Sequence, residues 1–204
     1  MSSASTPRRP WPMKWIVVAI LAMIVPYTII TFVYRKPGPA FQPYEDMKNR
    51  ANVKRLLDAG YQRLPIVAQR PADSALPKGG ASIATAPGGL PEELRTTLVA
   101  PLLLPAEILS VTAAPALAFQ QAYPIHLTCT LPAENQQIAG ADIYLRGDTV
   151  VITPTLEHVG GGLAARSPQT VALLTIPAGV LKPGRYTVTL AGERTSRMWP
   201  LDVK

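Results

Sequence analysis

A mainly β protein held by one N-terminal membrane helix is what this sequence predicts, and three observations carry the prediction. Trp15 to Val33 is a run of nineteen residues without a charge, long enough as a helix (~28 Å at ~1.5 Å per residue) to match the ~30 Å core of a bilayer. Twenty-two prolines among 204 residues are incompatible with a mainly helical body. The last hundred residues break into about seven short β-branched segments bounded by turn clusters, the size and spacing of an immunoglobulin-like β-sandwich.

In chain order, residues 1–14 form a polar, basic tail, MSSASTPRRPWPMK, and residues 15–34 the transmembrane helix. The apolar run exceeds the ~7–15 residues of a signal-peptide core and no A-x-A-like cleavage site follows it, so a retained anchor is expected. Trp11, Trp15, Tyr27 and Tyr34 suit headgroup depth. Pro26 removes a backbone donor inside the span, which calls for Thr28 or a neighbouring membrane helix to satisfy the carbonyl it frees.

Flanking charge does not orient the helix by itself. Arg8, Arg9 and Lys14 precede it, and Arg35, Lys36 and Lys48 follow, a tie under the positive-inside rule. The short basic tail before a first helix, followed by an exported-looking β module, predicts the N-terminus inside and the C-terminal domain outside a bacterial inner membrane, in the periplasm.

A juxtamembrane helix is expected over 43–60. Pro43 opens it, Glu45 and Asp46 lie in its first turn, Lys54 and Arg55 lie towards its end, and Gly60 stands at the cap. Tyr44, Met47 and Ala51 gather on one side of it and Val53, Leu56 and Leu57 on the other. From 61 to 106 the prolines at 65, 71, 77, 87, 91, 101 and 105 and the pairs Gly79-Gly80 and Gly88-Gly89 predict a linker, with one short helix at Glu92–Leu98. The β domain then spans 107–204, with strands expected at 108–113, 125–131, 141–145, 149–153, 170–176, 185–190 and 197–203. In YTVTL, Tyr186, Val188 and Leu190 alternate with threonines, as one buried face requires, and Trp199, Leu201 and Val203 repeat the pattern.

Up to Arg63 there are ten Lys or Arg against three acids, and beyond it ten against ten. The whole positive excess therefore lies beside the membrane helix, where it suits anionic lipid headgroups. A nucleic-acid-binding domain would instead carry a basic face. The one cysteine, Cys129, excludes an intrachain disulfide and a cysteine zinc site, and is expected to be a core residue.

Catalytic groups are sparse: no P-loop, G-x-G-x-x-G, H-E-x-x-H, G-x-S-x-G or EF-hand loop occurs. His126 lies three residues from Cys129 on one expected strand, hence on the opposite face, so the two cannot form a nucleophile–base pair. The one metal reading on offer is copper held by His126, His158 and Met198 from separate segments, but without H-x-M or M-x2-M spacing no metal and no cofactor is predicted. Arg146-Gly147-Asp148 spells an adhesion tripeptide and reads first as a hairpin turn. Gly160-Gly161-Gly162 reads as a loop with no phosphate cradle.

LKPGRYTVTLAG, Leu181 to Gly192, resembles the last hairpin of exported immunoglobulin-like modules, in which a Pro-Gly turn feeds a strand whose first tyrosine packs at the sandwich corner. The layout of one anchor, a nearby helix beginning Tyr44-Glu45 and a small terminal β domain is similar to that of FixH-type accessory proteins of bacterial haem-copper oxidases, from which the long proline-rich linker departs. That similarity implies a non-enzymatic accessory subunit of a respiratory or other electron-transfer complex. Its contacts would be the lipid bilayer and other membrane subunits, through Pro26, Tyr27, Tyr44, Met47, Leu56, Leu57 and Tyr61, with no nucleic acid or small-molecule substrate. A copper-binding assembly chaperone and a free-standing surface-binding or adhesive module are the two alternatives of different class.

Overall fold

The computed structural model describes residues 12–34, 43–69, 80–159 and 167–204. The chain divides into one unit up to Pro43 and a second from Tyr44 to Lys204. In the first, helix α1 (Met13–Tyr34) is long and apolar enough to cross a membrane, with a mean hydropathy of 2.1 over Met13–Thr31. Pro26 sits inside it. The Thr28 hydroxyl donates to the Ile24 carbonyl (2.8 Å) and Thr31 to that of Tyr27 (2.7 Å). Thr28 therefore does not serve the Ala22 carbonyl, whose usual donor four residues on is the N–H that Pro26 lacks.

The second unit starts with α2 (Pro43–Asp58), close to the expected 43–60. Its end is set by Gly60, at φ 79°: Gly60 N–H donates to Leu57 (3.0 Å) and Tyr61 N–H to Leu56 (2.8 Å), the paired bonds of a Schellman cap. Next come β1 (Gln62–Gln69), β2 (Ala84–Pro87), α3 (Glu92–Thr97), β3 (Glu107–Ala113), β4 (Ala116–Leu117), β5 (Tyr123–Thr130), β6 (Gln136–Arg146), β7 (Thr149–His158), β8 (Gln169–Ile176), β9 (Gly184–Leu190) and β10 (Thr195–Val203). The seven strands expected after residue 107 all form, several longer than expected.

The strands hydrogen-bond along one path, β2-β10-β9-β7-β6-β1-β8-β5-β3, with β4 parallel to β10. The sheet curls, so that residues of β5 and β8 (Ile125, Leu127, Cys129, Leu174, Ile176) share one core with residues of β6, β7, β9 and β10 (Ile143, Ile152, Val188, Leu190, Trp199, Leu201). Arg197 ties β10 to β3 and β2: its Nε donates to Ile108 O (3.1 Å), Nη2 to Leu109 O (2.8 Å) and Nη1 to Thr85 Oγ1. Arg197→Ala removes all three bonds at once and is expected to cost about 2 kcal/mol, read as a lower urea midpoint of the β unit. Lysine, a point donor without the planar fork, is not expected to restore it.

The expected linker 61–106 is corrected here. Residues 62–69 are a strand in the middle of the sheet, pairing with β6 over 62–67 and with β8 at Ala68 and Gln69. Residues 84–87 pair with β10. The prolines do not break these strands, because a strand accepts proline wherever one flank lacks a ladder partner. At Pro65 the pairing of β1 with β8 has not begun; Pro124 lies beyond the last β3 pair of β5, Pro154 beyond the last β9 pair of β7, and Pro200 between the β2 and β4 pairs of β10. Pro71, Pro77, Gly79, the exit residues 35–42 and Gly160–Gly162 lie outside the described residues.

Candidate partner-binding site

Leu56, Tyr61, Leu94, Leu98, Tyr144 and Val151 form a second, smaller apolar cluster on the outside of the sheet. It fastens α2 and α3 to β6 and β7. The cap at Gly60 turns Tyr61 back onto Leu56, which explains why both are buried, at 4% and 1% exposure. Polar contacts reinforce the attachment: Asn52 Oδ1 accepts from Val99 N–H (2.6 Å), the Arg146 guanidinium lies 5.2 Å from the centre of the Tyr61 ring, and Arg146 pairs with Glu93 of α3.

With Leu56 and Tyr61 turned inward, the opposite side of α2 is open. Met47 (64%), Val53 (46%) and Leu57 (62%) are exposed on it beside exposed Arg50 and Lys54. A groove of about 330 Å³ lined by Val53, Leu56, Leu57, Tyr61, Arg63 and Pro65 runs from the helix to β1. A shallower hollow of about 410 Å³ lies over Asn49, Arg50, Val53, Lys54, Leu57 and Asp58. At the groove wall Arg63 donates to the buried Asp142 carboxylate (2.8 Å), a hydrogen bond that raises the guanidinium pKa further. Arg63 is thereby held in place, whereas no ion pair occupies Arg50 or Lys54 among the described residues.

The residues expected to bind partners thus fall into four groups. Pro26 and Tyr27 are exposed along α1. Tyr44 lies in the first turn of α2, its side chain outside the described residues. Met47 and Leu57 stand on the open face. Leu56 and Tyr61 are corrected: they are internal contacts that hold the helix down and present little surface to another molecule. Val53, Arg50 and Lys54 share that open face without having been singled out by the sequence, although Arg50 and Lys54 stand three residues before Val53 and Leu57, a spacing that puts each pair on one side of a helix.

The copper candidates are spread over the sheet. His126 is buried on β5 between Thr112 and Leu173, His158 is exposed at the end of β7, and Met198 lies on β10 opposite Thr189. Among the described residues no three His, Cys, Asp or Glu side chains group so as to hold a metal. Arg146 of the adhesion tripeptide is engaged with Glu93 and Tyr61, and Gly147, at φ 59°, makes the β6–β7 turn.

Cys129 is fully buried, and desolvation pushes its thiol pKa up to about 12. At pH 8 the folded chain is expected to react with a maleimide at least ~100-fold more slowly than the urea-unfolded chain, because both access and thiolate are missing. Equal rates would contradict the burial of β5.

No protein-family model, curated protein or solved structure matches the chain.

Proposed function

We propose that this protein is a single-pass, membrane-anchored accessory subunit of a multisubunit membrane complex, of respiratory or another electron-transfer type. Its α1 packs against helices of other subunits and its β unit stands on the outer, periplasmic face. The observation that supports this most directly is α1 itself: apolar side chains on every side, interrupted by a proline whose freed Ala22 carbonyl is not served by Thr28. In a hydrocarbon environment an unpaired carbonyl costs several kcal/mol, so a neighbouring helix that brings a donor to the Pro26–Tyr27 level would be favoured there.

The β unit is proposed to be an immunoglobulin-like sandwich. Two features favour this finer reading. The Tyr186 hydroxyl donates to Lys182 O, four residues upstream (3.0 Å), as a tyrosine corner does, and β1 passes from one half of the sheet to the other along its length.

Gentle detergent extraction of native membranes, native sizing and mass spectrometry of the co-migrating proteins test the function. The full chain is expected to run with larger integral membrane proteins, and Pro26→Leu, which restores the helical donor, to weaken that association. Migration of the wild-type chain alone would overturn the reading and favour a free-standing module.

A further inference from the structure

We infer that the open face of α2 is a contact for anionic phospholipid headgroups, so that the helix lies along the membrane surface with Met47, Val53 and Leu57 towards the acyl boundary. This deepens the anchoring part of the proposed function and rests on it.

The geometry of the helix comes first. At ~100° per residue, Val53, Leu57, Arg50, Lys54 and Met47 fall within a sector of about 120°. Three exposed apolar side chains there alternate with two exposed cations that have no ion-pair partner among the described residues. Of the acids of the helix, Asp58 stands at the margin of this sector and Asp46, in the first turn, at a position within it. A stripe of this kind suits a surface that is anionic outside and apolar just beneath, which is what a headgroup layer offers.

Chain length and charge select lipid over an acidic protein. Residues 35–42 are all that separates α1 from α2, and eight residues at full extension reach no more than about 30 Å. An α1 that spans a bilayer therefore keeps α2 near its surface. On the α2 side of α1, from Arg35 to Arg63, seven bases stand against three acids, whereas beyond Arg63 the chain is balanced at ten against ten. The other side of α2 is already taken by the sheet through Leu56, so the β unit would be carried on the back of a helix whose front meets the headgroups.

The test uses the full chain in nanodiscs of phosphatidylcholine, alone or with phosphatidylglycerol. A fluorophore is attached at Leu57→Cys and, as the control, at Val67→Cys on β1; the buried Cys129 escapes labelling, and both substituted positions are exposed. Nitroxide lipids are expected to quench the label at position 57 strongly and that at 67 weakly, and only when phosphatidylglycerol is present. Arg50→Glu or Lys54→Glu is expected to lower the lipid-contacting fraction about fivefold each, in line with the usual attraction per basic residue at an anionic surface, and raised salt is expected to act in the same direction.

Equal quenching at both positions, or quenching at 57 that ignores lipid charge and both reversals, would overturn the inference while the chain stays in the disc. Shielding of the label at 57 only when a co-purified protein is present would assign the face to a protein and overturn it as well. A chain not retained in the disc at all would overturn the inference and the anchoring reading together.

Discussion

Trp199→Ala is expected to destabilise the β unit by about 3–5 kcal/mol, the range for deleting a fully buried aromatic side chain. That is a large part of the ~5–15 kcal/mol that holds a domain of ordinary stability together. Trp199 is 1% exposed in the main core, and its indole N–H donates to the Tyr123 hydroxyl (3.0 Å), which in turn donates to Ala114 O (2.6 Å). The substitution opens a cavity between β10 and β5 and removes one end of that chain of bonds. Burial already pushes the Tyr123 pKa up to about 12, so the phenol stays neutral and fit to donate throughout the physiological range. Trp199→Phe keeps a ring in the site and loses the hydrogen bond, for which about 1–2 kcal/mol is expected. Urea unfolding followed by circular dichroism distinguishes the two variants; a loss below about 1 kcal/mol for the alanine variant would contradict the packing of β10 onto β5.

The second large effect is expected at Gly140. A Cβ there would fall inside the contact radius of the Ile66 carbonyl oxygen and 3.3 Å from the carbonyl carbon. The obstruction is backbone, which cannot swing aside as a flexible side chain can. Gly140→Ala should therefore force β1 away from β6 beside the irregularity between Ile138 and Gly140, at a cost of about 3 kcal/mol or more. Hydrogen exchange is the decisive readout, since amides of 62–67 should lose protection before those of β9 and β10. Retained protection of β1 in this variant would mean that the β1–β6 register is wrong.

Gly140 also illustrates what could be read before any coordinates. Strands β9 and β10 were legible because inward residues such as Tyr186, Val188, Leu190, Trp199, Leu201 and Val203 fall two apart, and β5 to β8 because they are short β-branched runs bounded by turn clusters. Strand β1 was not. Its inward side is only Leu64, Ile66 and Ala68, all partly buried, and the hydrogen bonds that make it a strand come from residues some 75 to 105 positions further on. A glycine within QQIAGADIYLR was the available hint that another backbone passes close.

On α2 the limit was of a different kind. Residues Val53, Leu56 and Leu57 look alike as apolar neighbours, and nothing local says which of them the sheet will claim. Only the cap at Gly60, which turns Tyr61 back over Leu56, decides that Leu56 goes inward and Leu57 stays out. The open face of α2 was therefore half legible: Met47 and Leu57 are exposed on it, whereas Leu56 and Tyr61 are buried.

The interleaved strand order bears on how the molecule is made. Segment 84–87 waits for a complement that leaves the ribosome more than a hundred residues later, and β1 waits for β6. Pairings so remote close slowly, on a scale of about milliseconds to seconds. The nascent polypeptide would accordingly leave the ribosome as an open thread, its early segments unpaired until the last strand has been made.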